Sequence, residues 1–393
     1  MSTTAFVNGR IVSPIGIIEG KTLFVEGSRI RSIGLTDTRS STSTNVVDVG
    51  GMFIAPGYFD SHIHGSFGYD FSGASVAQVI QVLRKLPSVG VTSVLSTIGS
   101  SSTDDLVRAL QIISDVRSSQ YDGTKVIGVH LEGPYLDLSK KGAQTQQNLR
   151  LPDIHEMQQL ISAYPGLIRM VTVAPELPGC IALISFLRTQ NIVINLGHSN
   201  GSFDDAKLAF LNGANRMTHF FNAMSPLHHR EPGLVGAGLS FQDVYIELIL
   251  DGFHVDPNVA RIAYQIKGRD RVILVTDATQ ATGLADGKYT RPGNREVYVK
   301  DGSVRFASGI LAGSVLSMAK AVQNSVKFLN IPIAEAVRLA SFNPAESLGI
   351  RDIGMLLPGC AADFNLLNDD YSVERSYING KMVYAEKEGE VSL

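Results

Sequence analysis

The residues of this 393-residue chain best suited to chemistry are its nine histidines and the carboxylates near them, and they fall in a pattern. His62 and His64 lie two apart in Asp60-Ser61-His62-Ile63-His64. Glu132 closes His130-Leu131-Glu132, His198 closes Asn195-Leu196-Gly197-His198, and His219 follows Thr218. His254 ends Asp251-Gly252-Phe253-His254, and Asp277 follows Thr276. Imidazole and carboxylate are the ligands that Zn²⁺ and Fe²⁺ take. On an extended strand, residues two apart project to the same side, so His62 and His64 present two rings together. Taken singly, each piece has an ordinary explanation. The His-x-His is a solvated turn, Glu132 caps the Gly133-Pro134 turn, His198 starts a helix, His219 sits satisfied in a core, and Asp277 caps Ala278-Thr279-Gln280. Taken together they predict a metal site. Asp277 has a further use, because a buried carboxylate beside a metal and its water is a natural proton acceptor. His130 is expected to point into packing and His155, at a helix start, to lie on the surface.

These residues need elements that bring them to one place. Apolar, β-branched stretches at 52–60, 91–98, 126–131, 169–174, 192–197, 214–219, 245–250 and 271–277 predict eight strands. Helical patterns fall between them at Ala74–Leu86, Thr103–Arg117, Ile154–Ala163, Gly179–Thr189, Phe203–Leu211 and Pro257–Ile266. After the sixth strand, Phe221–Gly238 reads as a long loop. Strict βα alternation implies parallel pairing and a closed (β/α)8 barrel, an α/β fold whose catalytic groups stand at the C-terminal strand ends. Six of the eight strands then deliver His, Asp or Glu to a single rim, and five of the nine histidines are among them. A hairpin is expected at Glu296–Lys300 and Ser303–Ala307, turning at Asp301-Gly302. Two helices, Ser314–Leu329 and Ile333–Leu348, should follow it. Short strands at Ala5–Asn8, Thr22–Glu26 and Arg29–Ile33 pair in expectation with those at Asp363–Leu367, Arg375–Ile378 and Lys381–Tyr384. This predicts a small β-sandwich-like domain from residues 1–51 and 355–393, beside a catalytic barrel over 52–354. Thr36–Asn45 reads as a solvated loop.

The run Pro56-Gly57-Tyr58-Phe59-Asp60-Ser61-His62-Ile63-His64-Gly65 resembles the first-strand signature of amidohydrolases. A narrower set is Leu131-Glu132-Gly133-Pro134, Gly197-His198-Ser199, Thr218-His219-Phe220-Phe221-Asn222-Ala223-Met224, Arg230-Glu231-Pro232-Gly233, Asp251-Gly252-Phe253-His254, Thr276-Asp277-Ala278 and Leu311-Ala312-Gly313-Ser314. In this order, and on to Asn343-Pro344-Ala345, it resembles the N-acetylglucosamine-6-phosphate deacetylases and the similar N-acetylgalactosamine-6-phosphate enzymes. The resemblance implies a (β/α)8 barrel of the amidohydrolase type and metal-dependent hydrolysis of the acetamide of an N-acetyl amino-sugar 6-phosphate. It implies that Glu132, His198 and His219 hold the main divalent ion. His62 and His64 would add a second, with Glu132 bridging. Zinc is the expected metal, and iron, manganese, cobalt or nickel would suit the same ligands. Asp277 would be the catalytic base, then the acid. Asn222, the backbone at Ala223 and His254 would hold the sugar phosphate. Arg230, with His229 beside it, would reach the phosphate from the neighbouring subunit of a homodimer. One departure is visible: Lys140-Lys141-Gly142-Ala143-Gln144 carries Gln144 where the family usually has a His near the scissile amide. A Gln amide donates a hydrogen bond but carries no charge.

Composition limits the alternatives. With 34 basic and 37 acidic residues, the net charge is −3, which predicts no affinity for nucleic acid or anionic membrane. An anionic ligand must then meet a local cluster, and His228-His229-Arg230 is one. Two cysteines, Cys180 and Cys360, cannot make a disulfide framework. No leader is evident at the N-terminus and apolar runs are short, so a cytoplasmic location is expected. A different amidohydrolase, acting on another N-acyl group or a cyclic amide, is the first alternative. Many of those bridge their metals with a carboxylated Lys, whereas Glu132 occupies that place here. A non-catalytic sugar-phosphate-binding paralogue is the second.

Overall fold

The structure is a computed structural model that describes residues 3–35, 44–293 and 295–386. Eight strands form one parallel sheet, labelled β1 to β8 in chain order: Tyr58–Ile63, Val91–Gly99, Lys125–Glu132, Ile168–Val173, Val193–Leu196, Arg216–Met217, Tyr245–Leu248 and Val272–Leu274. Each pairs with its sequence neighbour, so the order runs unbroken from β1 to β8. The seam closes beyond the last paired residues. Asp277 N–H donates to the His62 carbonyl (2.9 Å) and His64 N–H donates to Ala278 (2.9 Å). Asp60 ties the seam a second time, accepting from the Thr276 hydroxyl at 2.6 Å.

The expected strand 52–60 is two strands. Phe53–Pro56 belongs to a terminal sheet, and the chain turns at Gly57 before entering β1. A side chain at Gly57 would stand 2.2 Å from the Thr92 hydroxyl, so only glycine lets the chain pass there. The terminal sheet orders its six strands as Lys381–Ala385, Val373–Ile378, Phe364–Leu367, Phe53–Pro56, Arg10–Ser13 and Gly16–Ile18. A four-stranded sheet, Arg29–Gly34, Thr22–Glu26, Thr3–Val7 and Thr44–Asp48, packs on it. Their shared core includes Phe6, Leu23, Ile54, Phe364 and Tyr377, with the Phe6 ring edge-on to Phe364 at 4.9 Å. Most of the expected loop 36–45 lies outside the described residues, and Thr44 and Asn45 belong to a strand.

Helices cover the barrel, and side chains start them. Ser75 with Gln78, and Ser202 with Asp205, make reciprocal capping boxes. Ser102, Asp153 and Asp256 accept from backbone N–H groups of the first turn. The predicted long loop contains a helix at Gly233–Ser240. Its sequence, GLVGAGLS, has no polar face and no side-chain cap, because six of its eight residues are buried. The two signals that mark a helix in sequence are therefore missing. The expected helix 314–329 begins only at Met318, capped by Ser317. The expected helix 333–348 breaks at Ser341 into Ile333–Ala340 and Phe342–Ser347. Pro344 lacks the N–H that a continuous helix would need there. Between β8 and Met318 the hairpin gains a third strand: Gly287–Arg291, Arg295–Lys300 and Ser303–Arg305 form one antiparallel sheet over the barrel mouth. No helix among the described residues is long and apolar enough to cross a membrane.

Candidate active site

Every metal-ligand candidate stands at the C-terminal rim of the barrel. Glu132 is the last residue of β3, His62 is within β1 and His64 just past it. His198 and His219 lie two residues beyond β5 and β6, and Asp277 three beyond β8. The backbone there is bent into the left-handed region, with φ of 48° at His198, 28° at His219, 51° at Ala223 and 48° at Asp277. Non-glycine residues adopt it rarely and at a cost, which sites tolerate where a side chain must be aimed.

Glu132 is the centre of the cluster. Its Oε1 lies 3.1 Å from His219 Nε2, 3.2 Å from His198 Nε2 and 3.4 Å from His62 Nε2. Its Oε2 lies 3.2 Å from His64 Nε2. His198 Nε2 and His219 Nε2 are 3.0 Å apart. Asp277 Oδ1 completes the group, 3.3 Å from His64 Nε2 and 3.6 Å from His62 Nε2. Two sets, His62–His64–Glu132 and Glu132–His198–His219, each hold their ligand atoms within 4.8 Å.

Hydrogen bonds around the cluster fix which nitrogen faces it. His198 Nδ1 lies 2.8 Å from the Lys140 carbonyl, which only accepts, so Nδ1 carries the proton and Nε2 is turned inward. Gly142, at φ +52°, brings that loop so close that a side chain there would stand 3.2 Å from the His198 ring. His62 Nδ1 donates to Glu247 Oε2 at 2.9 Å, and its Nε2 is buried without a hydrogen-bond partner. Glu247 sits within β7 and is fully buried. It accepts also from Asn195 (2.8 Å), Arg216 Nε (2.9 Å) and the His219 backbone (3.0 Å). Burial would raise Glu247, but Arg216 and His62 hold it far below the usual carboxylate range. Burial opposes a charge on His62, yet Glu247 and Glu132 on its two sides raise it well above an ordinary imidazole. Glu132 is buried too, and the surrounding histidines hold it ionised. Buried lone pairs converging on one point, beside an anionic carboxylate, fit a divalent cation, which meets the same demand as a proton.

The cluster forms the floor of a cavity of about 720 Å³. Gln144, Asn222, Ala223 and His254 line it, as do Lys140, Arg291, Arg295 and Leu311. The Gln144 side-chain amide bonds Glu132 Oε2, while its oxygen accepts from Ser100 N–H at 2.9 Å. Asp251 aims His254 through Nδ1 at 2.6 Å. His229 and Arg230 do not line this cavity. They are exposed, with the Arg230 guanidinium donating to His229 Nε2 at 2.7 Å. His130 lies inside the barrel, between the Thr172 (2.7 Å) and Thr97 (3.2 Å) hydroxyls, and His155 is exposed. Sequence reasoning passed over Glu247, Arg291 and Arg295. Glu247 sits in an apolar strand with only its burial to mark it, and the two arginines lie before Glu296, where the expected hairpin begins.

Known proteins match this sequence and fold. Residues 53–383 match the model of the amidohydrolase family. An N-acetylglucosamine-6-phosphate deacetylase of Vibrio furnissii is 36% identical over 341 residues, covering 86% of this chain and 85% of its own. An N-acetylgalactosamine-6-phosphate deacetylase of Escherichia coli O157:H7 is 37% identical over 330 residues, covering 84% and 87%. The crystal structure of the Pasteurella multocida N-acetylglucosamine-6-phosphate deacetylase superposes with a TM-score of 0.91 at 30% identity, over 98% of this chain and all of that one. With both sequence and architecture matched over most of its length, this chain belongs to the amidohydrolase family, in the branch of the N-acetylhexosamine-6-phosphate deacetylases.

Proposed function

We propose that this protein hydrolyses the acetamide of an N-acetylglucosamine- or N-acetylgalactosamine-6-phosphate, giving acetate and the amino-sugar phosphate. One observation carries the reading: four histidines and Glu132 converge, with Asp277 against them, on the floor of a cavity large enough for a sugar phosphate. Relatives named for this reaction make it the first choice among amide hydrolyses.

Glu132, His198 and His219 would hold one divalent ion, and His62 and His64, together with Glu132, would hold a second. Zinc is the proposed metal; iron, manganese, cobalt and nickel accept the same donors. Such an ion, when bound, polarises an amide carbonyl and lowers the pKa of water. The protein's own groups do the rest. Asp277 takes a proton from the attacking water and returns it to the departing nitrogen, so one carboxylate serves both steps. Burial would raise the Asp277 carboxyl, but the hydrogen bond from His64 and the charge on His62 hold it below the usual carboxylate range. The Gln144 amide donates at the acyl end. Asn222, the Ala223 backbone and His254 hold the sugar phosphate. Arg230, assisted by His229, is assigned to the neighbouring site of a homodimer, since it does not enter the cavity of its own chain.

The test is acetate release from N-acetylated hexosamines, with and without a 6-phosphate, before and after chelation. Activity should require the phosphate, vanish with the metal and return with a divalent ion. Full turnover by rigorously metal-free protein would sink the mechanism. Equal turnover of unphosphorylated sugars would sink the substrate class.

A further inference from the structure

Arg291 and Arg295 face each other across the first two strands of the hairpin sheet, as paired residues of the antiparallel register. Both line the catalytic cavity. Arg291 is only 8% exposed, and its Nε is buried without a partner. Its Nη1 donates to the Ala312 carbonyl at 3.0 Å. Arg295 is half-buried and donates to the Ala143 and Pro292 carbonyls. Burial, and then the neighbouring Arg291 charge, pull the Arg295 guanidinium below its ordinary pKa. Among the described residues neither forms an ion pair, although Arg108, on the same cavity wall, pairs with Asp105 at 2.8 Å. Of the carboxylates on the cavity wall, Asp70 acts on Arg295 by charge without an ion pair, so two adjacent guanidiniums, one of them nearly buried, share a single carboxylate at most, and an anion relieves the remaining cost.

Their tethers fix where that anion belongs. Ala143 precedes Gln144, whose amide bonds Glu132. Ala312 precedes Gly313, where a side chain would stand 3.0 Å from the Asp277 carbonyl. The pair is therefore anchored to the two loops that flank the reacting centre, on the side of Gln144. Asn222, Ala223 and His254 occupy other loops, after β6 and β7. On the proposed function, on which this rests, those loops take the sugar phosphate, and the acyl group is what remains for the Gln144 side.

We infer that Arg291 and Arg295 form a carboxylate subsite at the acyl end of the cavity, admitting N-acyl groups that carry their own terminal carboxylate, of the malonyl or succinyl type, as well as plain acetyl. Planar guanidinium forks match a carboxylate in two-point contact. The uncharged donor Gln144 is consistent with this, since it adds no further cation to a region that already holds two.

The test compares kcat/KM for N-succinyl and N-acetyl amino-sugar 6-phosphate on the metal-loaded enzyme. The unmutated protein should turn over both substrates. The ratio of the two values should drop by about tenfold or more in Arg291→Leu and in Arg295→Gln, the loss of a charge-assisted contact. Lys300→Gln, an exposed cation on the same sheet, should leave the ratio as it is. Should the arginine variants fail to fold, the unmutated enzyme still decides. Free succinate should inhibit at about one-tenth the concentration of butyrate, which has the same chain length and one carboxylate fewer. Equal inhibition by the two acids, no succinyl turnover, or a ratio unmoved by the variants overturns the subsite. No hydrolysis of any amino-sugar phosphate would instead overturn the function on which it rests.

Discussion

The cavity has a floor and a rim, and the two are built on different terms. The floor is made from strand ends. Glu132, His62, His64, His198, His219 and Asp277 are all nearly excluded from solvent, and the barrel's hydrogen bonds fix the places their side chains start from. The rim is made from loops and an inserted sheet: Gln144 on the loop that follows β3, and Arg291 and Arg295 on the hairpin sheet. A floor of fixed, mutually dependent charges suits chemistry common to a family. A rim that alters without disturbing the barrel suits the choice of substrate. Substitutions on the floor should therefore change kcat or metal content, and substitutions on the rim should change KM or selectivity.

Asp277→Asn should give the largest effect. It keeps the size of the group but cannot accept the proton, so kcat should fall by about 10²-fold or more. Metal stoichiometry, measured on the same preparation, should stay near that of the parent. A variant that kept both its metal and its kcat would assign the base to another group and remove the floor's claim to the chemistry.

Glu247→Gln tests how deep the floor extends. Glu247 itself does not line the cavity. It orients His62 and neutralises Arg216, which is fully buried and also bonds Ser61 and Ser347. The Gln variant should weaken metal binding at the His62–His64 position by about 10- to 100-fold, as losing an outer carboxylate partner does. The Glu132–His198–His219 position should keep its ion. Thermal stability should fall as well, because Arg216 then holds a buried charge with no counter-ion. Metal titration of the purified variant separates the two: loss from both positions alike would make Glu247 a support of the fold only.

The floor was legible in the sequence because strand ends carry their own punctuation. A β-branched run followed by His, Glu or Asp, repeated at βα spacing, places chemistry at one rim without any knowledge of contacts. What sat inside an element or on an insertion was not legible. Glu247 reads as one polar residue in an apolar strand, and only the structure reveals the Arg216 and His62 that surround it. Six of the eight residues of the helix Gly233–Ser240 are buried, so it shows no periodicity. Arg291 and Arg295 depend on a third strand, Gly287–Arg291, whose Gly-Lys-Tyr-Thr-Arg pattern carries little strand signal.

Arg230→Ala should give the smallest effect, and one of a different kind. The side chain is exposed and enters no cavity of its own chain, so kcat and metal content should be nearly those of the parent. KM for the phosphorylated substrate should rise by about tenfold, the value of one charge-assisted contact, with little change for an unphosphorylated sugar. A group that serves a neighbouring site has a further signature. In a mixed dimer of Arg230→Ala and Asp277→Asn chains, the first chain keeps its base and receives Arg230 from the second, so one complete site is assembled. Activity below the parental KM should then exceed the sum of the two variants alone. If subunit exchange is demonstrated and activity remains additive, Arg230 acts on nothing beyond its own chain, and the phosphate must be held by groups already lining the cavity, with His254 the first to replace.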